Sequence, residues 1–96
     1  MPGIARSGTD YATTHSNGGT VHINPKYVGG SGNVLVNGKA AMRKGDSAGC
    51  GEVITGASGT VLINGKGVHR KGDSLDAHNT FSPSVCGSAS GDVIAG

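Results

Sequence analysis

Gly32-Asn-Val-Leu-Val-Asn-Gly-Lys-Ala-Ala-Met-Arg-Lys-Gly-Asp46 returns 27 residues later as Gly59-Thr-Val-Leu-Ile-Asn-Gly-Lys-Gly-Val-His-Arg-Lys-Gly-Asp73, with ten of fifteen positions identical. Self-similarity of this strength sets the architecture before any single residue is interpreted. A third copy is split across the ends of the chain. Gly91-Asp-Val-Ile-Ala-Gly96 reads as the first half of the unit, and Met1-Pro-Gly-Ile-Ala-Arg-Ser-Gly-Thr-Asp10 as the second, with Arg6, Gly8 and Asp10 standing for Arg-Lys-Gly-Asp. Three copies, one closed through the termini, imply a ring with pseudo-threefold symmetry rather than an open solenoid.

Within each full copy, Val34-Leu-Val36 and Val61-Leu-Ile63 run directly into Asn37-Gly38 and Asn64-Gly65. An Asn-Gly pair after a short β-branched run is a strong hairpin signal, because both turn residues take positive φ. The return strands carry Lys39 to Arg43 and Lys66 to Arg70 and end at a second turn pair, Gly-Asp. Between the hairpins lie residues 11–31, 47–58 and 74–90, rich in Gly, Ser, Thr, Asn and Asp and without sustained helical periodicity. The expected fold is all-β: uniform tight turns at one end, irregular loops at the other.

Composition agrees with a thin core. Only 34% of the 96 residues are hydrophobic, with three aromatics and no Trp, while glycine occurs 19 times. The glycines recur at fixed places of the repeat, so they mark ordered turns rather than disorder. A domain this small buries little surface and often needs a disulfide or a metal. The net charge of +2 is spread evenly, with no basic run to suit nucleic acid. No apolar stretch approaches the length of a membrane span, and the N-terminus lacks a signal-peptide layout. The expectation is synthesis in the cytosol, with any export relying on a dedicated machine. Without a secretory signal, Cys50 and Cys86 fit metal ligation or burial better than a disulfide.

The soft metal donors cluster in the loop segments. His15 follows Asp10 by five residues, Cys50 follows Asp46 by four, and His78 follows Asp73 by five. Threefold placement brings one donor from each loop toward a common axis, which half-builds a tetrahedral site of a kind that suits zinc and also iron. A fourth ligand is to be chosen between His22 and Cys86. Cys50 lies nine residues before Gly59 and His22 ten before Gly32, but Cys86 lies only five before Gly91. At about 3.3 Å per strand residue, Cys86 falls on the order of 13 Å below the level of Cys50. The height argument favours His22, and aligns Cys86 with the packing positions Tyr27 and Ile54. His69, which replaces Met42 within the hairpin, reads as a partly exposed strand residue.

Taken together these motifs resemble the PAAR-repeat family, the spike-tip proteins of type VI secretion systems and contractile phage tails. The resemblance rests on the Val-x-Val-Asn-Gly-Lys hairpins, the Arg-x-Gly-Asp ends, the Asp10-to-His15 loop with Gly18-Gly19, and the C-terminal Gly-Asp-Val-Ile. In place of Pro-Ala-Ala-Arg the chain has Gly3-Ile4-Ala5-Arg6, Lys39-Ala-Ala-Met-Arg43 and Lys66-Gly-Val-His-Arg70. The resemblance implies a single-domain β-cone over residues 1–96 without an effector extension, with structural zinc near its vertex on three His and one Cys. His15, His22, Cys50 and His78 meet that count. It further implies docking of the broad base on a trimeric VgrG-like or tail-spike β-helix, one tip per trimer, through Met1, Pro2, Gly3, Asn37, Gly38, Asn64, Gly65 and Gly96. A tip of this kind sharpens the spike and aids the piercing of a membrane, and it is no enzyme. A rival reading is a small zinc-dependent hydrolase, for which Glu52 or Asp76 would have to be the base. A sugar-binding module lacks the stacking aromatics.

Overall fold

A computed structural model of the chain describes residues 2–16, 19, 21–76 and 84–95. Each Asn-Gly pair turns a hairpin, as the repeat predicts. β4 (Leu35–Val36) pairs antiparallel with β5 (Lys39–Ala40), and β7 (Leu62–Ile63) with β8 (Lys66–Gly67). The turn residues Asn37 (φ 52°), Gly38 (79°), Asn64 (53°) and Gly65 (79°) all lie in the left-handed region, whose twist matches that of the flanking strands.

The third hairpin is assembled from the two ends. Gly3 pairs with Ile94, as Ala40 pairs with Leu35 and Gly67 with Leu62. Neighbouring repeats are then joined cyclically: Arg6 pairs with Ala41, Arg43 with Val68, and Arg70 with Ile4. The cycle returns to its start, so the ring is closed. Among the described residues there is no helix, and none therefore long and apolar enough to cross a membrane. The fold is all-β.

The remaining strands belong to the loop segments. β1 (His15–Ser16) pairs with β2 (Val21–His22), β3 (Tyr27–Val28) with β6 (Ser47–Ala48), and β9 (Ser74–Leu75) with β10 (Ser84–Val85). The molecule is elongated, with extents of 37 × 24 × 22 Å.

Two side-chain devices hold the ring at threefold-related places. Arg6, Arg43 and Arg70 each direct Nε and Nη2 onto the two carboxylate oxygens of Asp10, Asp46 and Asp73, with Nε–Oδ2 distances of 2.7, 3.0 and 2.8 Å. The same Oδ2 atoms accept the arginines' own backbone N–H groups, so each carboxylate also closes the Gly-containing turn between the partners. Ser31, Ser58 and Ser90, all buried, accept with Oγ from the backbone N–H groups two and three residues on. Backbone donors at the entry to each hairpin are thereby satisfied without a sheet partner.

The core has two parts. Near the hairpin turns, Val36, Ile63 and Ala95 pack with Ile4, Ala41 and Val68, two sets of equivalent positions. Beyond them Ala5, Met42, Ala12, Ala48, Leu75, Tyr27, Ile54 and Cys86 form the second cluster. Here the cross-strand partners are Tyr27 with Ala48, Ile54 with Leu75, and Cys86 with Ala12, so the bulk of Tyr27 is set against a small residue.

The position equivalent to Ala5 and Met42 is His69, and here the sequence expectation of partial exposure is wrong. His69 is 0% exposed. Its register turns the ring inward, where Nδ1–H donates to the Gly56 carbonyl (2.7 Å) and Nε2 accepts from the Tyr27 hydroxyl (2.7 Å). The rings meet edge to face at a centroid distance of 5.3 Å. A bonded neutral imidazole is tolerated in a core. Burial pushes the His69 pKa down, and burial with the Cys86 thiol beside it pushes that of Tyr27 up.

Candidate metal centre

The β1–β2 ladder places His15 directly opposite His22, so both side chains leave the same face. Their rings stand at 88° with centroids 5.2 Å apart. His15 Nδ1 lies 2.9 Å from the Thr13 carbonyl. A carbonyl only accepts, so Nδ1 donates its proton there and Nε2 is the ring nitrogen turned toward the other donors. That Nε2 is 3.3 Å from His22 Nδ1 and 3.6 Å from Cys50 Sγ.

Cys50 arrives from another repeat. After β6 the chain turns at Gly49-Cys50-Gly51, closed by Gly51 N–H to the Ala48 carbonyl (3.0 Å) and Ala48 N–H to the Glu52 carbonyl (2.9 Å). Gly51 takes φ 101°, which a side chain would oppose. Cys50 is half-buried against the second core cluster.

The donor atoms of His15, His22 and Cys50 all lie within 4.8 Å of one another. A tetrahedral zinc centre with Zn–N near 2.05 Å and Zn–S near 2.3 Å has edges of about 3.3 Å between nitrogens and about 3.6 Å between nitrogen and sulfur. The two distances at His15 Nε2 match both. The residues fit a borderline-soft divalent metal.

Glu52 completes the surroundings. It is 0% exposed; Oε1 accepts from the Ser84 hydroxyl, while Oε2 lies 3.4 Å from His15 Nε2. Oε2 is the buried side-chain oxygen without a hydrogen-bond partner among the described residues. The sequence pointed to Glu52 only as a conceivable hydrolytic base. In the repeat, counted back from Gly32, Gly59 and Gly91, position seven is Pro25, Glu52 or Ser84, an alignment that gives no sign of burial.

His78 lies outside the described residues. Cys86 is away from the donor group, buried among Tyr27, Ile54 and Leu75. Its thiol donates to the Ser88 carbonyl (3.1 Å) and burial pushes its pKa up. Asp76 is exposed and its Oδ1 accepts from Val53 N–H (2.9 Å). At the opposite end, Asn37, Gly38, Asn64 and Gly65 are exposed, Pro2 is half-buried and Gly3 buried; Met1 and Gly96 lie outside the described residues.

A closed threefold ring of β-hairpins with soft donors gathered from its loops defines a small all-β protein with a candidate metal centre at the loop end. The family model for the PAAR motif matches residues 11–80, more than half of the chain. The chain belongs to the PAAR motif family, whose members are structural spike-tip proteins of type VI secretion systems and phage tails that associate with VgrG-like spikes. Comparison with curated proteins and with solved structures finds no match.

Proposed function

We propose that this protein is the structural tip of a contractile injection machine, seated one per trimer on a VgrG-like or phage tail-spike β-helix. The observation that carries the reading is the threefold equivalence of the hairpin end. Leu35, Leu62 and Ile94 occupy the same position of the three hairpins and are 63%, 58% and 51% exposed. One chain thus offers three equivalent apolar side chains, which a trimer meets with three equivalent surfaces. The exposed turns Asn37-Gly38 and Asn64-Gly65, with Met1, Pro2, Gly3 and Gly96, complete the proposed docking face, and docking covers strand edges that invite aggregation when left free.

At the other end the proposed staple is one zinc held by His15, His22, Cys50 and His78. Bound zinc would supply cross-linking alone, since four protein ligands leave no open position for water or substrate. Thr13 fixes the His15 tautomer through its carbonyl, the β1–β2 register aims His22, and the turn at Gly51 presents Cys50. The staple would stiffen loops that carry too little apolar surface to pack by themselves, giving a tip fit to be driven through a membrane. In this reading the protein is carried out of the cell on the spike.

Co-purification with a trimeric spike fragment, followed by native mass spectrometry, tests the assignment. The expected assembly has one tip chain per three spike chains. Absence of binding, or a different ratio, would overturn it.

A further inference from the structure

Glu52 is a carboxylate buried where its charge has no hydrogen-bonded cation among the described residues. An ionised carboxylate taken out of water is costly unless an opposite charge stands near. No Lys or Arg forms an ion pair with it among the described residues; the group within reach is His15, at 3.4 Å. The His15 tautomer puts the ring proton on Nδ1, against the Thr13 carbonyl. Oε2 therefore faces Nε2, the ring nitrogen turned toward His22 and Cys50, so a cation held among those donors stands beside the carboxylate. Oε1 is fixed by the Ser84 hydroxyl, so the side chain is held in this pose by a neighbouring repeat.

We propose that Glu52 is the built-in counter-charge of the metal centre, a non-ligating carboxylate beside the metal-facing nitrogen of His15 that lowers the cost of holding a divalent cation in this small core. The inference rests on the reading of His15, His22 and Cys50 as metal ligands. A divalent zinc with one thiolate and otherwise neutral ligands keeps one net positive charge. Glu52 cancels it, whichever neutral donor completes the set. Direct ligation is a different arrangement, and the geometry does not favour it: Glu52 is not among the side chains whose donor atoms fall within 4.8 Å of one another. The threefold repeat sharpens the assignment. Pro25 and Ser84 are the equivalents of Glu52, so the ring brings one carboxylate, not three, to this level. That single charge matches the single thiolate supplied by Cys50.

The experiment uses the full chain, purified as wild type, Glu52→Gln, Ser84→Ala and Cys50→Ser. Zinc affinity is measured by competition with a chromophoric chelator, and the ligand set is read separately from the absorption spectrum of the cobalt(II) form. Glu52→Gln keeps an acceptor for Ser84 and removes only the charge. The expected result is zinc binding weakened about 10- to 100-fold, with the cobalt thiolate-to-metal charge-transfer and d–d bands unchanged. Ser84→Ala, which frees Oε1 and leaves the charge, is expected to weaken binding by a smaller factor, and so gives a reading even if Glu52→Gln folds poorly. Unchanged affinity in both variants would overturn the proposal while leaving the metal site intact. A shifted d–d spectrum in Glu52→Gln would also overturn it, by making Glu52 a ligand. Absence of zinc binding by the wild type, or binding by Cys50→Ser as tight as wild type, would instead defeat the underlying metal reading.

Discussion

The hairpin end and the loop end of this molecule use the same threefold plan in opposite ways. At the hairpin end, equivalent positions hold equivalent chemistry: three Arg–Asp forks, three serine caps, and a core layer of Val36, Ile63 and Ala95. At the loop end, equivalent positions hold different chemistry. Tyr27, Ile54 and Cys86 share one level, Ala5, Met42 and His69 another, and Pro25, Glu52 and Ser84 a third. Backbone pairing keeps the ring closed at both ends, so the side chains of the upper levels are free to differ. The lesson is physical: a trimeric partner asks for sameness, while a mixed nitrogen–sulfur metal site asks for difference. One chain with three unequal repeats supplies both.

The largest effect is expected where the two ends are made to differ most, by removing the metal. In the proposed staple, metal binding adds directly to folding free energy, on the order of 10 kcal/mol in small zinc domains. Cys50→Ser, or treatment with chelator, should lower the midpoint of thermal unfolding by about 20 °C or more, since each 1 kcal/mol moves a domain of this size by about 4–8 °C. Hydrogen exchange should then show faster opening at residues 13–24 and 47–53 than at the hairpins 34–41 and 61–68. A protein that contains no metal and melts identically with and without chelator would break the comparison at its root.

The next test separates three copies of one interaction. Asp10 is 1% exposed, whereas the side chains of Asp46 and Asp73 are 13% and 15% exposed. Asp10 also accepts from Ser88 Oγ at 2.5 Å. Burial alone would raise the Asp10 pKa, but the hydrogen bonds from Arg6 and Ser88 outweigh it and hold it below the ordinary value. Asp10→Asn should cost about 3 kcal/mol, as for other partly buried charge pairs broken on one side, and Asp46→Asn or Asp73→Asn about 1 kcal/mol. Urea unfolding of the three variants measures the order. Equal losses would mean that burial does not distinguish the copies.

Much of this plan was legible in the repeat because turns and closure depend on local rules. Asn37-Gly38 and Asn64-Gly65 could be read as hairpins from backbone preference alone, and the split third copy from alignment of Gly91–Gly96 with Gly32–Asn37. His69 was misread for the opposite reason. Its neighbours in sequence mark it as a strand residue, but its burial depends on Tyr27 and Gly56, 42 and 13 residues away. Glu52 was hidden likewise: a lone carboxylate in a glycine-rich loop looks solvated until Ser84 and His15 close over it. Long-range partners, not propensity, decide which polar residues a small core can hold.

The Tyr27–His69 pair gives that point a measurable form. Tyr27→Phe leaves His69 Nε2 buried without its donor and should cost about 1–3 kcal/mol. The pH dependence has a definite sign. Burial depresses the folded pKa of His69, so the unfolded chain binds the extra proton first as pH drops. Stability from this group is complete above its unfolded value near 6.5 and is lost as pH falls from there toward the folded pKa. His69→Met, which restores the residue found at the equivalent Met42, should flatten the difference in stability between pH 7 and pH 5. If wild type and variant show parallel pH profiles, His69 does not titrate as a buried neutral ring.

The smallest expected effects lie at the serine caps, where sameness is most complete. Ser31→Ala and Ser58→Ala each remove one Oγ that accepts two backbone N–H groups at the entry to a hairpin, at 3.3 and 3.0 Å for Ser31 and 3.1 and 2.9 Å for Ser58. Each should cost about 1 kcal/mol, the ordinary value of such a cap. Ser90 makes the same two bonds. The hydroxyls of Ser31 and Ser58 meet the side chain two residues on, at 3.1 and 3.3 Å, whereas that of Ser90 lies nearer to Asn37 Oδ1 (2.7 Å) than to Asp92 Oδ1 (2.9 Å), which ties the hairpin built from the chain ends to its neighbour. Ser90→Ala should therefore cost more than either of the others, by about 0.5–1.5 kcal/mol. The extra loss should vanish when Ser90→Ala is made in an Asn37→Gly background, because Gly at that turn position keeps the positive φ and removes the Oδ1 acceptor; the Asn37 bonds to Asp92 and Arg6 go with it, so the reference is the Asn37→Gly single variant. Equal costs at all three serines would show that the split repeat is closed by its backbone alone, without help from the side chain that bridges Ser90 and Asn37.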